Sequence, residues 1–187
     1  MKTINRIALI SFYVLLAFIC TVFDCGCSPT VYVHGVPNLV LVRDGLWRSG
    51  QPTTQADWEY LKGVGITQVV KLNFESEGTD NGAIAAGLTV HYLGIEPSGD
   101  KDIFSNITNT FVKPDENMLV QAETVIQAGG GVLVHCTHGQ DRTGEVIGRS
   151  RVIDDNWSKD EAYTEMLNNH FHSSLHGLHE AWENFSP

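Results

Sequence analysis

With 187 residues, 42% of them hydrophobic and 18% charged, the chain holds enough apolar material for one globular domain with a core of its own, and too little length to expect a second. Its formal charge of −10, from 12 basic and 22 acidic residues, repels nucleic acid and anionic lipid surfaces at long range and excludes nucleic acid as a partner. Any anionic substrate has to meet a locally positive pocket.

Lys2 and Arg6 precede an apolar run from Ile7 to Phe23, which ends at Asp24 and a small-residue stretch from Cys25 to Pro29. That is the layout of a secretory signal. Residues 1–29 are expected to form a signal peptide or membrane anchor and residues 30–187 a single domain, exported to the periplasm or secreted, with membrane attachment through the N-terminal segment as the alternative. Cys20, Cys25 and Cys27 lie in or beside this segment, so the mature domain keeps Cys136 alone and has no internal disulfide. A lone thiol in an exported domain is either a buried small hydrophobe or a reactive group.

Asn38 to Val42, the turn Asp44-Gly45 and Leu46 to Arg48 read as two short extended segments around a tight turn. Thr53 or Thr54 caps a helix through Leu61 that stops at Gly63 and Gly65, and the β-branched run Ile66 to Leu72 suits a buried strand. A short helix around Gly82 to Ala86 leads to a strand over Leu88 to Ile95, followed by a polar loop from Glu96 to about Lys113. Pro114 opens a helix to Ala128, three glycines end it, and Val132-Leu133-Val134 runs as an apolar strand straight into His135-Cys136. Further helices are expected over Thr143 to Ile153, Ser158 to about Asn169 and Ser173 to about Phe185. This order predicts an α/β fold, a central, mostly parallel sheet with helices on both faces.

The segment from His135 to Gly144 lies between a buried strand and a helix start, where orphan backbone N–H groups and the helix dipole make an anion site. A cysteine at its mouth feels those groups as positive potential, which favours the nucleophilic thiolate at neutral pH. Arg142, six positions on, returns to the same side and can bind two phosphate oxygens. Thr137, His138, Gly139, Gln140, Asp141 and Thr143 complete the candidate phosphate cradle.

The string His135-Cys136-x5-Arg142-Thr143-Gly144 resembles the signature of protein tyrosine and dual-specificity phosphatases. Leu46-Trp47-Arg48-Ser49-Gly50-Gln51-Pro52 and Gly65 to Val70 are similar to the entry segment and first central strand of atypical bacterial dual-specificity enzymes, and with Trp157 and the helix behind it the likeness covers nearly all of residues 38–185. The resemblance implies a protein tyrosine phosphatase-like fold and a cysteinyl-phosphate intermediate hydrolysed in a second step, with no metal and no cofactor. It also implies that His135 helps hold the loop and tune the thiolate, against the plainer reading of a satisfied core histidine. Thr143 is placed either to hydrogen-bond the thiolate or loop, or to help cap the next helix.

The leaving oxygen needs a proton, and two aspartates compete to supply it. Asp100, with Asp102 beside it, lies where dual-specificity phosphatases carry a mobile-loop acid. Asp141 sits inside the loop, as in the Cys-x-x-Gly-x-Asp-Arg-Thr subgroup and in myotubularin-like lipid phosphatases; its plainer role is an anion at a helix N-terminus. Asp100 is favoured. Glu145, just after the loop, points either at substrate or at solvent. His172, His176 and His179 can share a helix face near His170, but without cysteine or acidic ligands at set spacing they read as a wet face rather than a zinc or nickel site. Trp58, Tyr60, Trp157 and Trp182 read as packing aromatics.

The expected substrate is a phosphoprotein of the phosphotyrosine or dual-specificity kind, and the alternative is an inositol polyphosphate or phosphoinositide. His138 and Gln140 stand where a highly anionic substrate favours Lys or Arg. An RNA triphosphatase, a sulfurtransferase and a catalytically silent phosphate-binding module are more distant readings.

Overall fold

The computed structural model describes residues 35–96 and 112–187. The elements, in chain order, are β1 (Val40–Arg43), β2 (Leu46–Ser49), α1 (Gln55–Gly63), β3 (Gln68–Lys71), a 3-10 turn (Glu75–Glu77), α2 (Asn81–Ala85) and β4 (Thr89–Tyr92). After them come α3 (Glu116–Ala128), β5 (Val132–His135), α4 (Asp141–Asp154), α5 (Lys159–Asn168) and α6 (His176–Asn184). The five strands form one sheet in the order β1-β2-β5-β3-β4, parallel throughout except for the β1–β2 hairpin.

Strand β5 is the middle of the sheet and is buried along its length. Its side chains alternate faces: Val132 and Val134 enter a core with Leu119, Ala122, Val146, Ile147 and Trp182, and Leu133 enters a second core with Trp58, Leu61 and Ala83. Helices α1 and α2 therefore cover one face and α3 to α6 the other, the layered arrangement expected from the sequence. Gly131 enters β5 with a φ of 80°, and a Cβ there would lie 2.0 Å from the carbonyl oxygen of Gly65, so the strand can start beside its neighbour only as glycine.

Local chemistry sets the helix ends. Thr54 caps α1 in a reciprocal box with Asp57, and Ser158 caps α5 with Glu161. Helix α3 begins later than Pro114, because the Asp115 side chain accepts from the Asn117 N–H and makes Glu116 the first helical residue. Helix α4 starts at Asp141, before Thr143, and α6 at His176, after Ser173. The β4 ladder is confined to Thr89–Tyr92, although the Leu93 and Ile95 amides still donate to Lys71 and Leu72. Trp58 and Trp182 are buried, and Trp157 lies under the Arg151 guanidinium at 4.4 Å. Among the described residues no helix is long and apolar enough to cross a membrane. Residues 1–29, with the expected signal or anchor, lie outside them.

Candidate active site

Parallel pairing brings the carboxyl ends of β2, β3 and β5 together, with Ser49 and Lys71 both in register with His135. In open α/β sheets ligand sites lie beyond these ends. Cys136 follows immediately, a free thiol 3% exposed, and its Sγ accepts the Gly139 N–H at 3.3 Å.

The loop's shape is held through its carbonyls. Thr137 O accepts from the Gln51 N–H at 3.2 Å, His138 O from Asn38 Nδ2 at 2.8 Å, Gly139 O from Arg48 Nη2 at 2.7 Å, and Gln140 O from the Gly144 N–H at 2.8 Å. In a trans peptide the following N–H points the opposite way, so the amides of His138, Gly139 and Gln140 face away from those outer partners, toward the side on which the Gly139 amide reaches the sulfur. Gly139 has a φ of 73°, and a Cβ there would meet the Gly50 nitrogen at 2.4 Å. The glycine lets the loop lie against the end of β2.

Arg142 is buried in the first turn of α4. Its Nη1 and Nη2 donate to the two carboxylate oxygens of Glu77 at 2.8 and 2.6 Å, and Nη2 also to Thr137 Oγ1 at 3.0 Å. Thr137 Oγ1 in turn donates to Glu77 Oε1 at 2.8 Å. The Arg142 hydrogen bonds, with smaller help from the Phe74 amide and Thr137, hold the Glu77 carboxyl down to about 2 against partial burial. Burial acts to lower the Arg142 pKa, but Glu77 and Cys136 outweigh it and the net shift is upward. The mouth of the loop thus grips a planar, two-oxygen anion in bidentate fashion.

Beneath the loop lies a polar cluster. His135 Nε2 meets Asp80 Oδ2 at 2.8 Å, both fully buried, and Gln51 Nε2 donates to Asp80 Oδ1 at 2.8 Å. Lys71 Nζ lies 3.6 Å from Asp80, and Asn73 Nδ2 donates to Gln51 Oε1 at 3.0 Å. Burial would raise the Asp80 carboxyl; the His135 and Gln51 hydrogen bonds and the Lys71 charge prevail and the net shift is downward. A carboxyl lowered in the folded state stabilises fully above its unfolded value of about 3.9, and loses that contribution as pH falls through the folded value. Asp80→Asn is therefore expected to cost about 3 kcal/mol at pH 7 and to flatten the loss of stability below pH 4, measured by urea unfolding across that range. Equal stability at pH 7 would remove Asp80 as a support of the loop.

The sequence-predicted residues divide. Cys136, Thr137, His138, Gly139, Gln140 and Arg142 share one loop and helix start, with His135 braced below. Asp141 starts α4, but its carboxylate faces His172, accepting the backbone N–H at 2.7 Å and meeting Nδ1 at 3.0 Å. Thr143 is fully buried within α4, its hydroxyl making no hydrogen bond among the described residues, and the helix N-cap is Gln140. Glu145 faces neither substrate nor solvent. It is fully buried and pairs with Arg149 Nε at 3.0 Å, and burial pushes its carboxyl up to about 7 despite that cation. The three histidines do not share one helix face: His172 precedes α6, which carries His176 and His179, and meets Asp141, while His179 meets Tyr163 at 3.2 Å. Asp100 and Asp102 lie outside the described residues.

Arg48, Glu77 and Asp80 were not singled out by sequence. Burial lowers the Arg48 pKa to about 10, so the side chain still carries its charge at neutral pH beneath the Gly139 carbonyl. Glu77 and Asp80 follow β3, and the signal for them is strand order: residues beyond a strand beside β5 face residues beyond β5.

A thiol among inward-turned amides at the mouth of a parallel sheet, beside a guanidinium that grips an anion, defines the class: this is a cysteine-dependent phosphatase. The chain belongs to the tyrosine phosphatase family, whose model matches residues 34–148. It is 32% identical over 119 residues to a protein assigned by name as tyrosine-protein phosphatase OCA1 of Mycosarcoma maydis, covering 63% of this chain and 70% of that one. It is 29% identical over 119 residues to inositol diphosphatase DSP2 of Oryza sativa subsp. japonica, covering 62% of this chain and 54%, about half, of the rice protein. The structure of P. aeruginosa TpbA in complex with pTyr superposes with a TM-score of 0.59 at 19% identity, over 78% of this chain and 83% of that one, a likeness of fold.

Proposed function

We propose that Cys136 is the nucleophile and Arg142 the phosphate ligand of a phosphomonoesterase acting on isolated phosphoryl groups such as phosphotyrosine. The Cys136 thiolate attacks phosphorus, the bond to the leaving oxygen breaks, and that oxygen takes a proton from a carboxylic acid. Water then attacks the cysteinyl-phosphate and gives a proton to the carboxylate left by the first step, the P–S bond breaks, and thiolate and inorganic phosphate are released. Arg142 and the inward amides hold the non-bridging oxygens throughout and meet the charge that builds on them.

The observation that carries this reading is the Arg142 fork, already closed on two carboxylate oxygens at 2.6 and 2.8 Å beside Thr137. Asp100 is the proposed acid. The commitment of Asp141 to His172 speaks for Asp100 over it. Isolated phosphoryl groups are favoured because the loop presents His138 and Gln140 rather than further cations, and the Glu77 carboxylate stands against Arg142. A second reading, hydrolysis of inositol phosphates, draws on the likeness to the rice inositol diphosphatase. Export, with membrane attachment as the alternative, rests on the apolar run before Asp24.

Purified protein assayed side by side on phosphotyrosine peptides, phosphoinositides and inositol hexakisphosphate tests the assignment. The expected result is a kcat/KM at least about tenfold higher on the peptides, equivalent to about 1.4 kcal/mol in transition-state stabilisation. The reverse order establishes the inositol reading.

A further inference from the structure

Glu77 is a charged group in the mouth of the loop that the reaction steps do not employ. Its two oxygens fill the Arg142 fork, and Oε1 also accepts from Thr137. Its place is set by the 3-10 turn Glu75–Glu77, in which the Glu77 N–H donates to Phe74 O at 2.9 Å and the Phe74 N–H donates back to Glu77 Oε2 at 2.9 Å. The side chain is 29% exposed, so it can swing outward into water without crossing packed core.

We propose that Glu77 is a specificity-determining residue: its carboxylate is a resident anion on the Arg142–Thr137 seat, which a doubly charged phosphoryl group displaces and a singly charged oxyanion does not. The proposal rests on Arg142 being the phosphate ligand. A tethered carboxylate competes at the effective concentration its short linkage imposes, which an untethered carboxylate in solution must exceed to take the seat. A phosphoryl dianion brings a second charge and a third oxygen for the inward amides, and so wins the fork that a monoanion loses. The closed pair scales every ligand's apparent affinity by the fraction of molecules in which the fork is open. A brace for the turn alone predicts none of this, because glutamine at position 77 keeps an acceptor for the Phe74 amide.

The test is Glu77→Gln in the full chain, with binding of inorganic phosphate and of acetate measured calorimetrically in a Cys136→Ser background and kinetics in the active protein. We expect phosphate to bind about tenfold more tightly and KM to fall by a similar factor, with kcat changed by less than about threefold. Acetate should become a competitive inhibitor at concentrations that leave the wild type untouched. Glu77→Ala, checked by thermal melting, must move affinity the same way if the glutamine variant fails to fold. Equal phosphate affinity with and without the carboxylate overturns the proposal and leaves Arg142 as the ligand. Phosphate binding to none of the proteins overturns the Arg142 reading and the proposal with it. A fall in kcat on alkyl phosphates that spares activated aryl phosphates also overturns it, making Glu77 the proton donor.

Discussion

Cys136→Ser is expected to leave less than about one per cent of wild-type turnover, a loss of more than about 2.7 kcal/mol in transition-state stabilisation, while phosphate or vanadate still binds. The serine oxygen can accept the Gly139 N–H that now meets sulfur at 3.3 Å, so the loop keeps its shape. Arg142 and the inward amides stay in place. Only the nucleophile is lost, because an alcohol is a far weaker nucleophile toward phosphorus than a thiolate. Residual activity above about one per cent, in protein shown free of wild-type contamination, would remove Cys136 as the nucleophile. Reversible loss of activity under mild oxidant should accompany the result, since a thiolate at the mouth of a loop forms a sulfenic acid that thiols reduce.

The proton donor gives the second large effect. If Asp100 supplies it, Asp100→Asn should slow alkyl phosphates by roughly 10²–10⁴, while aryl phosphates with acidic leaving groups suffer far less and the basic limb of the pH profile flattens. Asp141→Asn should lack that leaving-group pattern, because its carboxylate is turned toward His172. Removing a carboxylate near Cys136 also favours the thiolate and raises activity at low pH, a change opposite in sign to loss of the acid, so the whole profile must be recorded. The reverse assignment would show the leaving-group pattern in Asp141→Asn alone. Should both variants keep wild-type rates on alkyl phosphates, neither aspartate is the acid, and Asp102, Glu96 and Glu77 come next.

How much of this was legible in the sequence depends on distance along the chain. Val132-Leu133-Val134 running into Cys136, with glycines before it and Arg142 six residues later, is a local signal, and strand, loop and helix start all followed from it. The residues that complete the site are not local. Glu77 and Asp80 reach Arg142 and His135 only because β3 pairs with β5. Nothing in either segment alone dictates that pairing. Arg48 could be read as part of Leu46 to Pro52, but its grip on the Gly139 carbonyl needs β2 on the other side of β5. Glu145 departs from the sequence expectation for a related reason. Its place just after the loop suggests substrate or solvent, whereas α4 is buried from Arg142 to Ser150, and a carboxylate there pairs with Arg149 or stays protonated.

In the proposed reaction the phosphoryl group passes through the sulfur of Cys136. Rapid acid quench of the wild-type protein during turnover of an aryl phosphate, followed by intact and peptide mass spectrometry, tests it most directly. The expected result is one phosphoryl group per chain, on the peptide containing Cys136, formed and lost at rates that match turnover. Steady turnover with no phosphorylated enzyme when its breakdown is slowed, or a phosphoryl group on any other residue, would contradict it.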